Sequence, residues 1–97
     1  MADESTLAAV HLIVEGEVQG VGFRAFTRSI AFQLGLVGWV RNEIDGTVEI
    51  WAEGPRPSLQ RLIEAVRRGP SGGFVTDLQI RWGTPQGNHP TFRIRYE

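Results

Sequence analysis

The chain has 97 residues, 41% hydrophobic and 22% charged, with a formal net charge of −1. That is the size and balance of one soluble globular domain, which buries roughly two thirds of its unfolded surface. No apolar run approaches the ~18–20 residues of a membrane span. The ten basic residues are all Arg, set against eleven acidic ones, so no basic excess marks a nucleic-acid partner. Without Lys there is no Schiff base and no Walker-type lysine. Without Cys there is no disulfide, thiolate nucleophile or Cys-ligated zinc. His11 and His89 are too few and too far apart in sequence for a metal site. Chemistry is left to Arg, carboxylates, amides, hydroxyls and backbone N–H groups.

Residues 1–6 are polar and read as a frayed start, with a single domain over 7–97. The opening Met1-Ala2-Asp3-Glu4-Ser5 is acidic, and His11 interrupts the apolar stretch that follows. That is not a secretory signal, so the cytoplasm is expected. Ala8–Glu15 alternates, with Val10, Leu12 and Val14 on one face, and predicts a first strand. Gly16-Glu17-Val18-Gln19-Gly20-Val21-Gly22 then crowds glycines into a loop. Phe23, Phe26, Ile30, Ala31 and Leu34 repeat at helical spacing, and Gly35 stops that helix.

Leu36–Asn42 and Thr47–Glu53 predict a second and third strand, joined at Asp45-Gly46, a strong hairpin signal. Gly54-Pro55-Arg56-Pro57-Ser58 opens a second helix with a stripe of Leu59, Leu62, Ile63 and Val66. Arg67 and Arg68 suit its C-terminal dipole, and Gly69-Pro70 ends it. Phe74–Trp82 alternates as a fourth strand. A Gly- and Pro-rich loop over Gly83–Pro90 leads to a short last strand, Thr91–Tyr96.

The order is β-α-β-β-α-β plus a terminal strand. It predicts an α+β, ferredoxin-like sandwich with two helices on one face of a mainly antiparallel sheet. In that topology the third strand lies between the first two. The glycine loop and the end of the second strand, Arg41-Asn42, then share one edge, about 9–10 Å apart. The fold alone decides no activity.

Gly16–Arg24 is a glycine-rich turn between a strand and a helix start. Glycines let successive backbone N–H groups face one concavity, and the helix start adds partial positive charge. Arg24 could close this anion cradle with a bidentate fork. On spacing alone, a tight turn beside a solvated arginine is the slightly better reading.

The wider pattern shifts that balance. Gly-Glu-Val-Gln-Gly-Val-Gly-Phe-Arg over 16–24, then Thr27, Leu34-Gly35-Leu36, Gly38-Trp39-Val40-Arg41-Asn42, Asp45-Gly46-Thr47-Val48-Glu49 and Glu53-Gly54 closely resemble the acylphosphatase family. The likeness runs in register from about Val14 to Pro70 and returns, weaker, through Phe92–Tyr96. It implies hydrolysis of acyl phosphates to a carboxylate and inorganic phosphate, without metal or organic cofactor. By the same resemblance, Val18, Gln19, Gly20, Val21, Gly22 and Arg24 form the phosphate site, and Asn42 orients the attacking water. The expected partner is a small acyl phosphate, with no nucleic acid or membrane, and the expected state is a monomer. Two rivals remain: a non-catalytic anion-binding or regulatory module on the same fold, and a domain like the carbamoyl-phosphate-handling module of hydrogenase maturation proteins.

Other residues attract plainer readings. Glu17, where many relatives carry a basic or neutral residue, is expected to point to solvent. Ala25 stands where an aromatic is common. Gln19 either touches substrate or turns away from the cradle. Thr27 is expected to make a local hydrogen bond, and Asp45 to serve the turn. Arg28, Arg41 and Arg81 read as surface charges, and His11 and His89 as solvent-facing. Trp39 and Trp51 are expected to pair across the hairpin, on the face away from the helices.

Overall fold

A computed structural model describes residues 6–96. The strands are β1 (Leu7–Glu17), β2 (Val37–Asn42), β3 (Val48–Pro55), β4 (Phe74–Gly83) and β5 (Phe92–Arg95), and the helices are α1 (Phe23–Gln33) and α2 (Arg56–Arg68). They form one five-stranded sheet in the order β4-β1-β3-β2-β5. All neighbours are antiparallel except β2 and β5, which run parallel. This is the ferredoxin-like sandwich that the element order predicts.

Alternation along the strands builds the core. Val10, Leu12 and Val14 of β1, Val40 of β2, and Val48, Ile50 and Ala52 of β3 point to one face and are fully buried. α1 lays Phe23, Thr27 and Ala31 on that face, and α2 adds Leu59, Leu62, Ile63, Ala65 and Val66. Phe92 of β5 closes the same cluster. Full burial of each large aliphatic or aromatic side chain contributes about 1.5–3 kcal/mol. Thr27 is the polar member of this core, and its Oγ1 donates to Phe23 O at 2.9 Å, so the hydroxyl costs no unpaired donor.

The elements differ from the sequence reading mainly at their ends. β1 continues to Glu17 instead of stopping at Glu15. Its register against β4 shifts between Glu15 and Gly16, then pairing resumes as Gly16 with Val75 and Glu17 with Phe74. Gly16 permits this: its φ is 130°, and a Cβ there would lie 2.1 Å from Phe74 O. The irregularity therefore sits where β1 hands the chain to the glycine loop. β5 is shorter than read and ends at Arg95, leaving Tyr96 outside the ladder. The expected fraying at 1–6 falls mostly outside the described residues. Thr6 is described, and its carbonyl accepts from Arg56 N at 3.0 Å.

The sheet's other face is not the plain solvated surface that alternation suggests. Trp39 and Trp51 are direct register partners. Their rings are engaged separately, however. Trp39 lies under Arg41 and Arg95, at 5.1 and 4.7 Å, whereas Trp51 stands beside His11. His11 is half-buried rather than solvent-facing, with Nε2 2.6 Å from Glu49 Oε2. Arg41 Nε donates to Glu43 Oε2 at 2.7 Å and to Glu49 Oε1 at 3.0 Å. Burial works to raise the Glu49 carboxyl, but hydrogen bonds with Glu43, His11 and Arg41, together with the Arg41 charge, hold it at about 2. Glu43 moves the other way, raised first by its hydrogen bond with Glu49 and then by burial.

Glu53 is the other departure from simple alternation, being only 4% exposed. Its Oε2 accepts from Trp51 Nε1 at 2.6 Å and from Gln86 N at 3.0 Å, and its Oε1 accepts from Gly87 N at 3.2 Å. One buried carboxylate thus anchors the long connection between β4 and β5. Burial opposes its ionisation, but these donors outweigh burial and lower its pKa.

Candidate functional site

Where β1 ends, Val18–Gly22 turns the chain into α1. Gly20 and Gly22 both have φ of 78°, in the left-handed region that favours glycine. Gly22 is the residue before the helix, and no side chain caps the N–H groups that follow it. The first turn of α1 carries no acidic residue either. A helix start normally has its free N–H groups met by a side chain, water or a ligand. Among the described residues, none supplies an anion to them or to the positive end of the dipole.

An open pocket of about 150 Å³ sits against this turn, lined by Val18, Gly20, Gly22, Phe23, Arg24, Ala25, Asn42, Ile94 and Tyr96. Arg24 reaches it from the second position of α1, and Asn42 from the last position of β2. The sheet order explains the meeting. β3 separates β1 from β2, so the loop after β1 and the end of β2 lie at the same edge. The Val18 side chain belongs to the core, only 1% exposed, so that residue offers the pocket its backbone.

Arg24 is half-buried and makes no ion pair among the described residues. Its guanidinium lies 4.7 Å from the centre of the Tyr96 ring. An aromatic face holds a guanidinium without neutralising it, so the fork keeps its charge for an anion. The pocket is small beside the ~300–1,000 Å³ typical of ligand sites. It suits a tetrahedral oxyanion with its substituent projecting outward.

The structure therefore brings together Arg24, Asn42, Val18, Gly20 and Gly22. It does not bring Val21 or Gln19 to the pocket lining. Val21 packs partly against the core. Gln19 turns to the β2–β3 hairpin, where Nε2 donates to Glu43 O at 2.8 Å and to Thr47 O at 2.9 Å. Glu17 is exposed at the end of β1, and Asp45 serves the turn, Oδ1 accepting from Thr47 N and Oγ1. Sequence reasoning missed Ile94 and Tyr96 as pocket residues. Their apolar alternation shows in the sequence, but the parallel pairing of β5 beside β2, which delivers them to this edge, does not. Among the described residues no group of three or more His, Cys, Asp and Glu is placed to hold a metal ion.

Comparison with known proteins adds independent findings. The family model described as acylphosphatase matches residues 10–94. An acylphosphatase from Anaeromyxobacter sp. (strain Fw109-5) is 46% identical over 90 residues, covering 93% of this chain and 97% of that protein. The crystal structure of acylphosphatase from Bacillus subtilis superposes with a TM-score of 0.89 at 44% identity, covering 92% of this chain and 99% of the other. A crystal structure of T. kodakarensis HypF also superposes, with a TM-score of 0.80 at 32% identity, but the match occupies only 12% of that much longer chain.

Proposed function

The chain belongs to the acylphosphatase family and is a hydrolase of acyl phosphates, and from that premise we propose how its residues carry out the reaction. The phosphoryl group sits in the pocket between the loop Val18–Gly22 and the Arg24 guanidinium. Arg24 and the backbone N–H groups of the loop and helix start take its charge. Asn42 holds a water in line with the bond that breaks.

The substrate is a mixed anhydride, and its leaving group is a carboxylate of low pKa that needs no protonation. The water oxygen bonds to phosphorus, the bond from phosphorus to the acyl oxygen breaks, and its electron pair leaves with the carboxylate. Two tasks remain for the protein: stabilising charge on the phosphoryl oxygens and positioning the water. Arg24 and the loop perform the first, and Asn42 performs the second. A carboxamide is no base at neutral pH, so the water's proton passes to a phosphate oxygen of the substrate. Among the described residues no carboxylate lines the pocket to compete for it.

The observation that carries this reading is the meeting in one pocket of an uncapped helix start, an asparagine and an arginine with no ion pair among the described residues. The experiment is hydrolysis of a simple aryl acyl phosphate, with EDTA and with added inorganic phosphate. Turnover should persist in EDTA, and phosphate should inhibit competitively. Phosphate binding without any hydrolysis would overturn the mechanism and favour a non-catalytic anion module. A pH–rate profile governed by an enzyme carboxylate would overturn the assignment of the proton.

The reading extends to the working state. The proposed working state is a monomer acting on a small acyl phosphate. Sedimentation should return the mass of one chain. The cytoplasm is the proposed location, in keeping with a chain that has no cysteine and relies on no disulfide. Fractionation of the source cell tests it.

A further inference from the structure

Gln19 stands in the middle of the glycine loop, yet its side chain is spent elsewhere. Its Nε2 reaches Glu43 O at 2.8 Å and Thr47 O at 2.9 Å, 24 and 28 positions further along the chain. Those two carbonyls form the mouth of the β2–β3 hairpin. Glu43 N donates to Thr47 O at 2.9 Å, and Gly46 N donates to Glu43 O at 3.1 Å. The amide orientation is fixed by its surroundings, because only the NH₂ end can serve two carbonyl oxygens at once. Glu43 directly follows Asn42, the last residue of β2.

The geometry points to Gln19 as a positioning residue, a clamp that ties the phosphate loop to the hairpin and so sets Asn42 relative to the cradle. This rests on the proposed roles of Arg24 and Asn42 and adds a residue that acts through Asn42 rather than on substrate. The physical need is plain. Loop and hairpin belong to β1 and β2, which are not neighbours in the sheet, because β3 runs between them. Each pairs with β3, β1 only as far as Val14 with Val48 and β2 as far as Asn42 with Val48, so beyond those rungs no ladder holds the loop and the hairpin in register. A water aimed from one segment at a phosphorus held by the other depends on that register. A displacement of about 1 Å in such geometry can cost up to about 10²-fold in rate.

The test uses Gln19→Leu, which keeps the bulk and removes both donors, and Gln19→Glu, which keeps the length and sets a carboxylate against two carbonyls. Both should lower kcat at least about tenfold while the inhibition constant of inorganic phosphate stays near the parent value. In an Asn42→Ala background, Gln19→Leu should add almost nothing, since no carboxamide remains to be aimed. A loss of phosphate affinity would instead make Gln19 a ligand. An equal fractional loss with and without Asn42, or unchanged kcat, would overturn the clamp.

Amide hydrogen exchange gives a readout independent of turnover. Glu43 and Gly46 should exchange faster in Gln19→Leu, while the amides of β1 keep the parent rates. Unchanged exchange at the hairpin would overturn the clamp even in an inactive protein. Failure of the unsubstituted chain to hydrolyse any acyl phosphate would overturn the functional reading alone.

Discussion

Two arginines near the same sheet edge show how neighbours decide what a charge can do. Arg41, on the face away from the helices, is gripped by Glu43 and Glu49, with His11 completing the chain of contacts. Its charge is met within the fold. Arg24, on the helix side of the edge, has no carboxylate partner among the described residues and rests on the Tyr96 ring. One guanidinium holds strands together, and the other is kept for an external anion. Residue type is the same in both places, so the difference lies in what surrounds each fork.

Substitutions sharpen that contrast, and the largest effect belongs to Arg24. Arg24→Ala should remove about 10²–10³-fold or more of kcat, the cost of losing a preorganised donor to developing charge, and should weaken inhibition by phosphate. Arg24→Lys should restore little, because a point charge does not replace a planar fork. Steady-state kinetics with phosphate inhibition measures both. Retained activity in Arg24→Ala would remove the central element of the mechanism.

Asn42→Ala should come next, lowering kcat by about 10²-fold with phosphate inhibition close to parent. A matching loss of phosphate affinity would move Asn42 from water positioning to phosphate binding. Both Arg24→Ala and Asn42→Ala should keep the parent circular dichroism, since neither side chain belongs to the core cluster.

Tyr96→Leu should have a smaller effect. An exposed cation–π contact is worth about 0.5–1 kcal/mol, and Tyr96 is 76% exposed. The expected loss in kcat/KM is therefore only severalfold, and Tyr96→Phe should restore it. A loss as large as that of Arg24→Ala would give Tyr96 a direct role on substrate.

Glu49→Gln should leave kcat/KM near the parent value and act on stability instead. The Glu49 carboxyl sits below its ordinary range, at about 2. Its stabilisation is therefore complete above the unfolded carboxylate value of about 4.3 and is lost as pH falls toward 2. At neutral pH the substitution should cost about 1.5–3 kcal/mol, the scale of hydrogen bonds to a charged group. Near pH 2 the two proteins should have similar stability. Because Glu43 is shifted upward, part of the pH dependence falls above the Glu49 window. Urea titrations across pH 2–7 would show this, and parallel curves would show that Glu49 adds nothing through its charge.

Much of this molecule is written in local pattern. The period-two runs around Val10-Leu12-Val14 and Val48-Ile50-Ala52 mark strands and the face that each buries. The three-four spacing of Phe23, Phe26, Ile30, Ala31 and Leu34 does the same for α1, although the residues α1 buries fully are Phe23, Thr27 and Ala31, and Thr27 is a position that an apolar count passes over. The glycine loop, Arg24 and Asn42 stand out by type and spacing. Their shared edge follows from the β-α-β-β-α-β order, because that order puts β3 between β1 and β2.

Partners of the polar side chains were a different matter. Nothing in the sequence says that Gln19 spends its amide on two hairpin carbonyls, that Tyr96 lies beneath Arg24, or that Arg41 is neutralised. Nor does alternation reveal that Glu53 is buried to anchor a loop. Apolar burial is a property of a repeating pattern along one element, so chain order records it. A hydrogen bond or ion pair depends on distances of a few ångströms between elements, and sheet order, register and the parallel docking of β5 set those distances only once the chain has folded.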